Sequence, residues 1–209
     1  MNGIDGEWGL SMRIDSLNAF PWNMTLGAIQ NEDLLYEMGV AIAQECKTMG
    51  IHFNFAPVVD VNSNPFNPII NARSYGEDPF KVSNKALALM NGMQESGVLA
   101  CAKHFPGHGD TDSDSHKTLP VLDHTKSRID TVDLIPFKRL IDAGVASVMV
   151  AHLNIPSLDS IENRASTLSP YVVDTMLRQQ LNFSGLIFTD ALNMKGVSSF
   201  YESGALEVA

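Results

Sequence analysis

Short apolar runs follow segments of helical period four times along the chain. Apolar residues recur at helical spacing over about 31–49 and Gly50 ends the segment, which predicts a helix followed by the strand 51–60. Strands that are apolar on both faces are typical of a buried parallel sheet, so the pattern predicts an α/β protein. The three later units are predicted as a helix from Asp78-Pro79 to Gly97 before strand 98–102, a helix ending at Gly144 before strand 145–151, and a helix from Ser169-Pro170 before strand 186–189.

The longest polar segments come directly after strands, at 60–78, 103–130 and 151–169. In parallel α/β folds the loops at the carboxyl ends of the strands carry the functional site. A doubly wound sheet and a barrel both fit this periodicity. Neither GxGxxG nor GxxxxGK[ST] follows any strand, which argues against a nucleotide-binding sheet.

Composition narrows the classes of function. The 209 residues are 44% hydrophobic and carry a net charge of −10, with 14 Lys and Arg against 24 Asp and Glu. A chain this long and apolar can bury a core, and an acidic chain without a basic block is not expected to bind nucleic acid or an anionic membrane. No apolar run approaches the ~20 residues of a membrane-spanning helix. Cys46 and Cys101 form no CxxC pair, and the first residues do not resemble a signal peptide, so a cytoplasmic and a periplasmic location both stay open.

The segment 103–116 concentrates ionisable side chains, with three of the six histidines and three aspartates. A solvated polar loop is one interpretation, and metal binding through His104, His108, Asp110, Asp114 and His116 is another. Since neither HExxH nor CxxC occurs, we expect no metal and no cofactor. In a third interpretation, Asp114 orients the imidazole of His116 for acid–base chemistry, because residues two apart in an extended loop point the same way.

Charged residues also stand at or just beyond the ends of two strands. Asp190 ends strand 186–189, and it is either a catalytic carboxylate or the N-cap of the next helix. Asp60 ends its own strand, where it caps or locks a loop. Arg73 follows in that loop and either clamps a substrate oxygen or pairs with Glu77 or Asp78.

Five motifs in this order resemble the catalytic domain of glycoside hydrolase family 3, and within it the bacterial β-N-acetylglucosaminidase branch. The resemblance covers essentially the whole chain, although Trp8 replaces a glycine of the first motif. It implies a (β/α)8 TIM barrel of which residues 1–209 form a single domain holding about strands 3–7. The motifs are Asp5-Gly6-Glu7-Trp8-Gly9 with Arg13, 55–60, 73–79, 103–109 with Asp114-Ser115-His116, and 188–194.

The resemblance implies retaining hydrolysis of a terminal β-linked N-acetylglucosamine in two displacements. Asp190 is then the nucleophile, His116 the acid and base, and Asp114 the residue that orients His116. The implied substrate-binding residues, which contact sugar hydroxyls, are Asp5, Arg13, Arg73, Lys103 and His104.

We therefore expect a small carbohydrate partner, such as muropeptide or chitin-type N-acetylglucosaminides, and a role in bacterial peptidoglycan turnover. A β-glucosidase of the same family and an inactive sugar-binding remnant are the alternatives. A complete barrel takes ~250 residues or more. We accordingly expect a fragment whose open edges favour self-association, and activity of the isolated chain is a question for experiment.

Overall fold

A parallel five-stranded sheet forms the centre of the protein. The computed structural model describes residues 1–112 and 119–194. Each strand pairs with its neighbour in the chain, so the spatial order is the sequence order, and the predicted α/β class with a parallel sheet is confirmed. The strands are β1 Gly3–Ile4, β2 Phe53–Asn54, β3 Leu99–Phe105, β4 Ser147–Val150 and β5 Leu186–Thr189.

Helices connect the strands. Helix α3 begins as its sequence predicts, because Oδ1 of Asp78 accepts the backbone N–H groups of Phe80 (2.8 Å) and Lys81 (3.0 Å), and Pro79 occupies the first turn. Short 3-10 turns lie at Leu10–Met12, Asn71–Arg73 and Ser166–Leu168, and a turn of π spacing, Ile129–Asp133, precedes α5. The helices are α1 Asn23–Gly27, α2 Asp33–Thr48, α3 Pro79–Glu95, α4 Lys126–Arg128, α5 Leu134–Asp142 and the π-type helix α6 Tyr171–Gln180.

Three strands differ from their predicted bounds. Strand β4 is shortened from the predicted 145–151 to Ser147–Val150. The predicted strand 51–60 is reduced to β2 and one isolated bridge from Val58 to Lys103. Pro57 explains the interruption, because proline has no N–H to give to a ladder. In contrast, β3 continues past residue 102 to Phe105, so Lys103 and His104 lie on the strand and not in the loop after it.

The sheet curls strongly. Neighbouring strands lie about 4.8 Å apart, so β2 and β5 would be separated by about 14 Å in a flat sheet. Nevertheless, the ring of Phe188 on β5 lies 5.5 Å from the ring of Phe53 on β2 and 5.2 Å from that of Phe55, measured between centroids. The inner face of the sheet is therefore concave, as in part of a barrel.

The helices cover the outer, convex face. Leu89 and Met90 of α3 are fully buried, and Phe105 of β3 meets Phe137 of α5 edge to face at 5.2 Å. In the described residues β1 and β5 each pair on one side only, and Leu186 on β5 stays half exposed. Self-association through these edges stays a prediction. Of the helices in the described ranges, none has the length and apolar character needed to span a bilayer.

Candidate active site

A cavity of about 320 Å³ opens where the strands end. Its wall combines charged side chains with apolar surface, and it includes five residues that the resemblance assigns as catalytic or substrate-binding. The carboxyl ends of the strands and the loops that follow them thus carry the polar cluster, as expected for a parallel α/β fold. The lining residues are Asp5, Phe55, Ile69, Arg73, Lys103, His104, His108, Met149, Phe188, Thr189, Asp190 and Ala191.

Lys103 is a buried cation held by two carboxylates. Its Nζ donates to Oδ1 of Asp5 at 2.5 Å and lies 2.7 Å from Oε1 of Glu7. Burial alone would lower the pKa of Lys103, but Glu7 and Asp5 raise it, so the ammonium stays charged. Asp5 in turn accepts Nη2 of Arg13 at 2.9 Å, and Arg13 is half exposed outside the residues that line the cavity.

Glu7 also holds Arg73 in place. Nε and Nη2 of Arg73 donate to Oε2 (3.0 Å) and Oε1 (2.7 Å) of Glu7 in a bidentate pair. Nη2 also lies 3.2 Å from Nε2 of His104. Because a guanidinium can only donate, Nε2 of His104 accepts here and the ring proton sits on Nδ1. Of the two interpretations of Arg73, the pairing with Glu77 or Asp78 is wrong, since the carboxylate that holds Arg73 is Glu7.

Asp60 locks the turn that follows β3. Its carboxylate is fully buried and accepts Nδ1 of His104 at 2.7 Å, the N–H of His104 at 3.2 Å and the N–H of His108 at 2.7 Å. Burial alone would raise the pKa of Asp60, but His104 and His108 lower it, so the group is ionised. Of the two roles predicted for Asp60, capping and loop-locking, the structure shows the second.

Two glycines let this turn pass close to its neighbours. A Cβ on Gly109 would lie 1.9 Å from the carbonyl oxygen of Val61, which excludes any side chain there. Gly107 has a φ of +132°, and a Cβ would lie 2.7 Å from that of Asp133. The glycines therefore let the segment after β3 turn back against the rest of the fold. His108 is buried in this turn, and its burial together with the nearby His104 lowers its pKa to about 4.

Asp190 stands at the tip of β5. Its backbone N–H donates to the carbonyl of Val150, and its Oδ1 accepts the N–H of Ala191 at 2.8 Å. Burial acts to raise the pKa of Asp190. His104, the Ala191 N–H and Lys103 lower it by a larger amount, so the pKa of Asp190 lies below its usual value. The cavity thus contains an ionised carboxylate.

His152 supports the turn after Asp190, a role that the sequence did not suggest. The ring is fully buried, with Nε2 3.1 Å from the carbonyl oxygen of Ala191 and Nδ1 2.9 Å from Oγ1 of Thr167. A carbonyl accepts only, so Nε2 carries the proton and Nδ1 accepts from Thr167. Burial lowers the pKa of His152, which keeps the ring neutral.

The structure brings most of the predicted binding residues together. Asp5, Arg73, Lys103, His104 and Asp190 line one cavity, whereas Arg13 touches it only through Asp5. Asp114 and His116 lie outside the described residues. Within the described ranges, no three His, Cys, Asp or Glu side chains converge as a metal-binding group.

The curled parallel sheet and the polar cavity at its strand tips define an α/β-barrel type of protein. The family model of the glycosyl hydrolase family 3 N-terminal domain matches residues 1–208. The chain therefore belongs to glycosyl hydrolase family 3, which confirms the predicted family, and its sheet is an incomplete (β/α)8 TIM barrel.

Similar proteins agree with this assignment. The chain is 41% identical to beta-hexosaminidase A of Pseudoalteromonas piscicida, over 95% of this chain and 36% of that protein. It is 37% identical to a beta-hexosaminidase of Thiobacillus denitrificans, over 94% of this chain and 55% of the relative. The chain thus spans only about a third to just over half the length of these relatives.

Solved structures match over nearly the whole chain. The glycoside hydrolase family 3 beta-N-acetylglucosaminidase from Paenibacillus sp. str. FPU-7 superposes with a TM-score of 0.94 at 40% identity, covering 99% of this chain and 40% of that one. NagZ from Neisseria gonorrhoeae, solved in complex with N-trifluoroacetyl-D-glucosamine, gives 0.88 at 31% identity, covering 99% and 60%. These likenesses confirm the predicted barrel fold.

Proposed function

We propose that this chain is the catalytic part of a retaining, exo-acting β-N-acetylglucosaminidase. The observation that carries the proposal is an ionised Asp190 at a strand tip, in the same cavity as Asp5, Arg73, Lys103 and His104. Family membership supports a glycosidase, and the names of the relatives support the N-acetylglucosamine substrate class. We include muropeptide and chitin-type fragments in that class, and hence a role in peptidoglycan turnover.

The first displacement uses the charge of Asp190. Cleavage of a glycosidic bond builds oxocarbenium-like positive charge at the anomeric carbon, which an ionised carboxylate stabilises before it forms the covalent bond. Lys103 and His104 help to keep that carboxylate ionised, so Asp190 is ready to attack at neutral pH.

Proton transfer belongs to His116 in this proposal, with Asp114 orienting its ring. Both assignments rest on the family motif, since these two residues lie outside the described ranges. The imidazolium protonates the leaving oxygen as the anomeric carbon bonds to Asp190. In the second displacement the neutral ring takes a proton from water, whose oxygen bonds to the anomeric carbon as the bond to Asp190 breaks. A histidine suits both roles because it titrates near neutrality.

The cavity wall suits a neutral polyhydroxyl ligand. Asp5 provides acceptors, while Lys103 and Arg73 provide donors, so sugar hydroxyls find both kinds of partner. Phe55 and Phe188 add apolar surface against which the C–H face of a pyranose ring can pack. Arg13 acts through Asp5, whose carboxylate and carbonyl it binds.

Hydrolysis of 4-nitrophenyl N-acetyl-β-glucosaminide tests the proposal directly. The 209-residue chain and a longer version that completes the barrel are assayed beside Asp190→Ala and His116→Ala. We expect both variants to lose turnover, and an activated leaving group to spare His116→Ala more because it needs less acid assistance. A fluorinated slow substrate should label Asp190, as located by mass spectrometry, and the product should keep the β configuration.

The alternatives give different results in the same assay. Faster turnover of 4-nitrophenyl β-glucoside would identify a β-glucosidase of the family. Folded protein that turns over neither substrate in either length would identify an inactive sugar-binding remnant. Inverted product, or a label on any other residue, would refute the assignment of Asp190.

A further inference from the structure

Glu7 lies behind the cavity wall and contacts two cations that line it. Only 2% of its side chain is exposed, and it is not one of the lining residues. Its Oε1 accepts Nη2 of Arg73 at 2.7 Å and forms an ion pair with Nζ of Lys103, also at 2.7 Å, and its Oε2 accepts Nε of Arg73 at 3.0 Å. One carboxylate thus joins two residues that are 30 positions apart in the chain.

We propose that Glu7 is the positioning residue of this site, which fixes Arg73 and Lys103 so that each keeps one N–H donor for a sugar hydroxyl. This inference rests on the proposed function. Neither the family motif nor the cavity lining gives Glu7 a role of its own, and Glu7 is separated from the cavity by the cations it holds.

The count of donors on Arg73 supports the proposal. A guanidinium has five N–H groups. Two bind Glu7, one lies against Nε2 of His104, and one Nη1 N–H donates to the carbonyl of Ile69 at 3.3 Å. In the described part of the chain this leaves the second Nη1 N–H for a ligand.

Lys103 also keeps an N–H donor for a ligand. Its ammonium has three N–H groups, of which one donates to Asp5, while Nζ forms an ion pair with Glu7 at 2.7 Å. These are its partners among the described residues, so at least one N–H is left for a ligand. Since the chain of a lysine has four rotatable methylenes, two fixed partners are what give the ammonium a defined direction.

The negative charge of Glu7 offsets the repulsion between the two cations that it holds. Lys103 is buried and Arg73 is partly buried, both contact the same oxygen of Glu7, and the charge of Arg73 disfavours that of Lys103. Glu7 lies between them and attracts both. Its own ionisation is secure, because Lys103 and Arg73 hold its pKa well below the usual range although burial acts to raise it.

Three substitutions separate positioning from general stability. Glu7→Gln keeps the shape but places an amide N–H₂ against N–H donors and removes the charge. Glu7→Asp keeps the charge but is one methylene too short to reach both cations. Glu32→Gln is the control for the loss of a lysine partner, since Glu32 binds a buried lysine, Lys85, at 2.9 Å but is 42% exposed and is not one of the residues that line the cavity.

The readouts are the Kd of N-acetylglucosamine by calorimetry and kcat and KM for the chromogenic substrate, each on protein shown to be folded by circular dichroism. For Glu7→Gln we expect Kd and KM to rise by at least about tenfold, the loss of one hydrogen bond to a charged group, with a smaller change in kcat. Glu7→Asp should be intermediate, and Glu32→Gln should stay within about twofold of the unaltered chain. If Glu7→Gln does not fold, Glu7→Asp decides alone: a rise in Kd and KM beyond the twofold range of Glu32→Gln supports the inference, and values within that range overturn it.

A readout without substrate keeps this inference separate from the proposed function. The Arg73 Nε–H signal in ¹⁵N NMR, assigned by its loss in Arg73→Lys, should exchange slowly with solvent in the unaltered chain and much faster in Glu7→Gln. Unchanged exchange, or unchanged Kd and KM in Glu7→Gln, overturns the inference. An unaltered chain that neither binds nor hydrolyses the sugar overturns the proposed function, while the exchange rates still show whether Glu7 orders Arg73.

Discussion

Asp60→Asn should cost both stability and sugar binding, because this carboxylate fixes the turn after β3. Asp60 accepts one ring N–H and two backbone N–H groups without any exposure to solvent. An asparagine offers one acceptor oxygen, and its N–H₂ group would face the remaining donors. The substitution therefore leaves buried N–H groups of His104 or His108 without acceptors and removes the charge that they share.

The expected loss of stability in Asp60→Asn follows from the hydrogen bonds that the buried carboxylate accepts. A hydrogen bond to a charged group contributes about 1.5–3 kcal/mol, so the loss of two of the three bonds costs about 3–6 kcal/mol. For a chain of this size each kcal/mol lowers Tm by about 2–4 °C, so we expect a decrease of about 6–24 °C. The matched control is Asp78→Asn, where an exposed carboxylate accepts two backbone N–H groups at the start of α3. Asparagine is an equally good N-cap, so the control should change stability by well under 1 kcal/mol.

The dependence on pH gives a second test of the same reasoning. The folded-state pKa of Asp60 is lowered, so its contribution is complete above the unfolded pKa of about 3.9 and is lost as the pH falls toward the folded pKa. Urea unfolding at a series of pH values should show the difference between the unaltered chain and Asp60→Asn shrinking below about pH 4, by at most about 1.4 kcal/mol per pH unit. A difference below 1 kcal/mol at pH 7, or one that is constant down to pH 3, would refute the role of the ionised carboxylate.

Three further predictions concern the rest of the site. Asp190→Ala should lower kcat by at least about 10³-fold with little change in Tm, and added azide should restore turnover with an α-glycosyl azide as product; recovery of activity without azide would contradict the nucleophile assignment. His152→Leu should leave the carbonyl of Ala191 unpaired, cost about 1–3 kcal/mol in urea unfolding and lower kcat more than it raises KM; an unchanged kcat would show that this turn needs no support. Gly109→Ala should destabilise by about 1–3 kcal/mol or more, because the new methyl would lie 1.9 Å from the carbonyl oxygen of Val61, and a neutral result in thermal melts would contradict that close approach.

The fold was largely predictable because its determinants are local. The Asp78-Pro79 pair begins α3 where the sequence indicates, and Gly50 follows the end of α2 as a positive-φ residue, with φ of +69°. The spacing of hydrophobic residues and these boundary residues determine where a helix forms and ends, and both depend on residues within one or two helical turns. The ends of the strands were predicted less well, because Pro57 interrupts the predicted strand 51–60 and the pairing of β3 with β4 continues to Phe105.

The partners of the site residues were not predictable in the same way. The partners that the sequence offers Arg73 are its neighbours Glu77 and Asp78, yet both are exposed and Asp78 is used as a helix cap. The actual partner, Glu7, is 66 positions away and is buried beside a second cation. A buried bidentate pair gains more than an exposed one, but burial depends on how β1 and β3 come together. Only the fold supplies that information.

The charge balance of the cavity also predicts which ligands it rejects. Lys103 is neutralised by Asp5 and Glu7, and Arg73 by Glu7, before any ligand arrives. In a site for phosphate or carboxylate, the ligand itself neutralises the cations of the protein. Here Lys103 and Arg73 are already paired with carboxylates, and the ionised Asp190 lines the same cavity. Inorganic phosphate and sulfate at millimolar concentration should therefore not compete with N-acetylglucosamine in calorimetry. In Glu7→Gln, where positive charge is uncovered, phosphate should begin to compete; competition of equal strength in both proteins would show that the paired cations do not select for a neutral sugar.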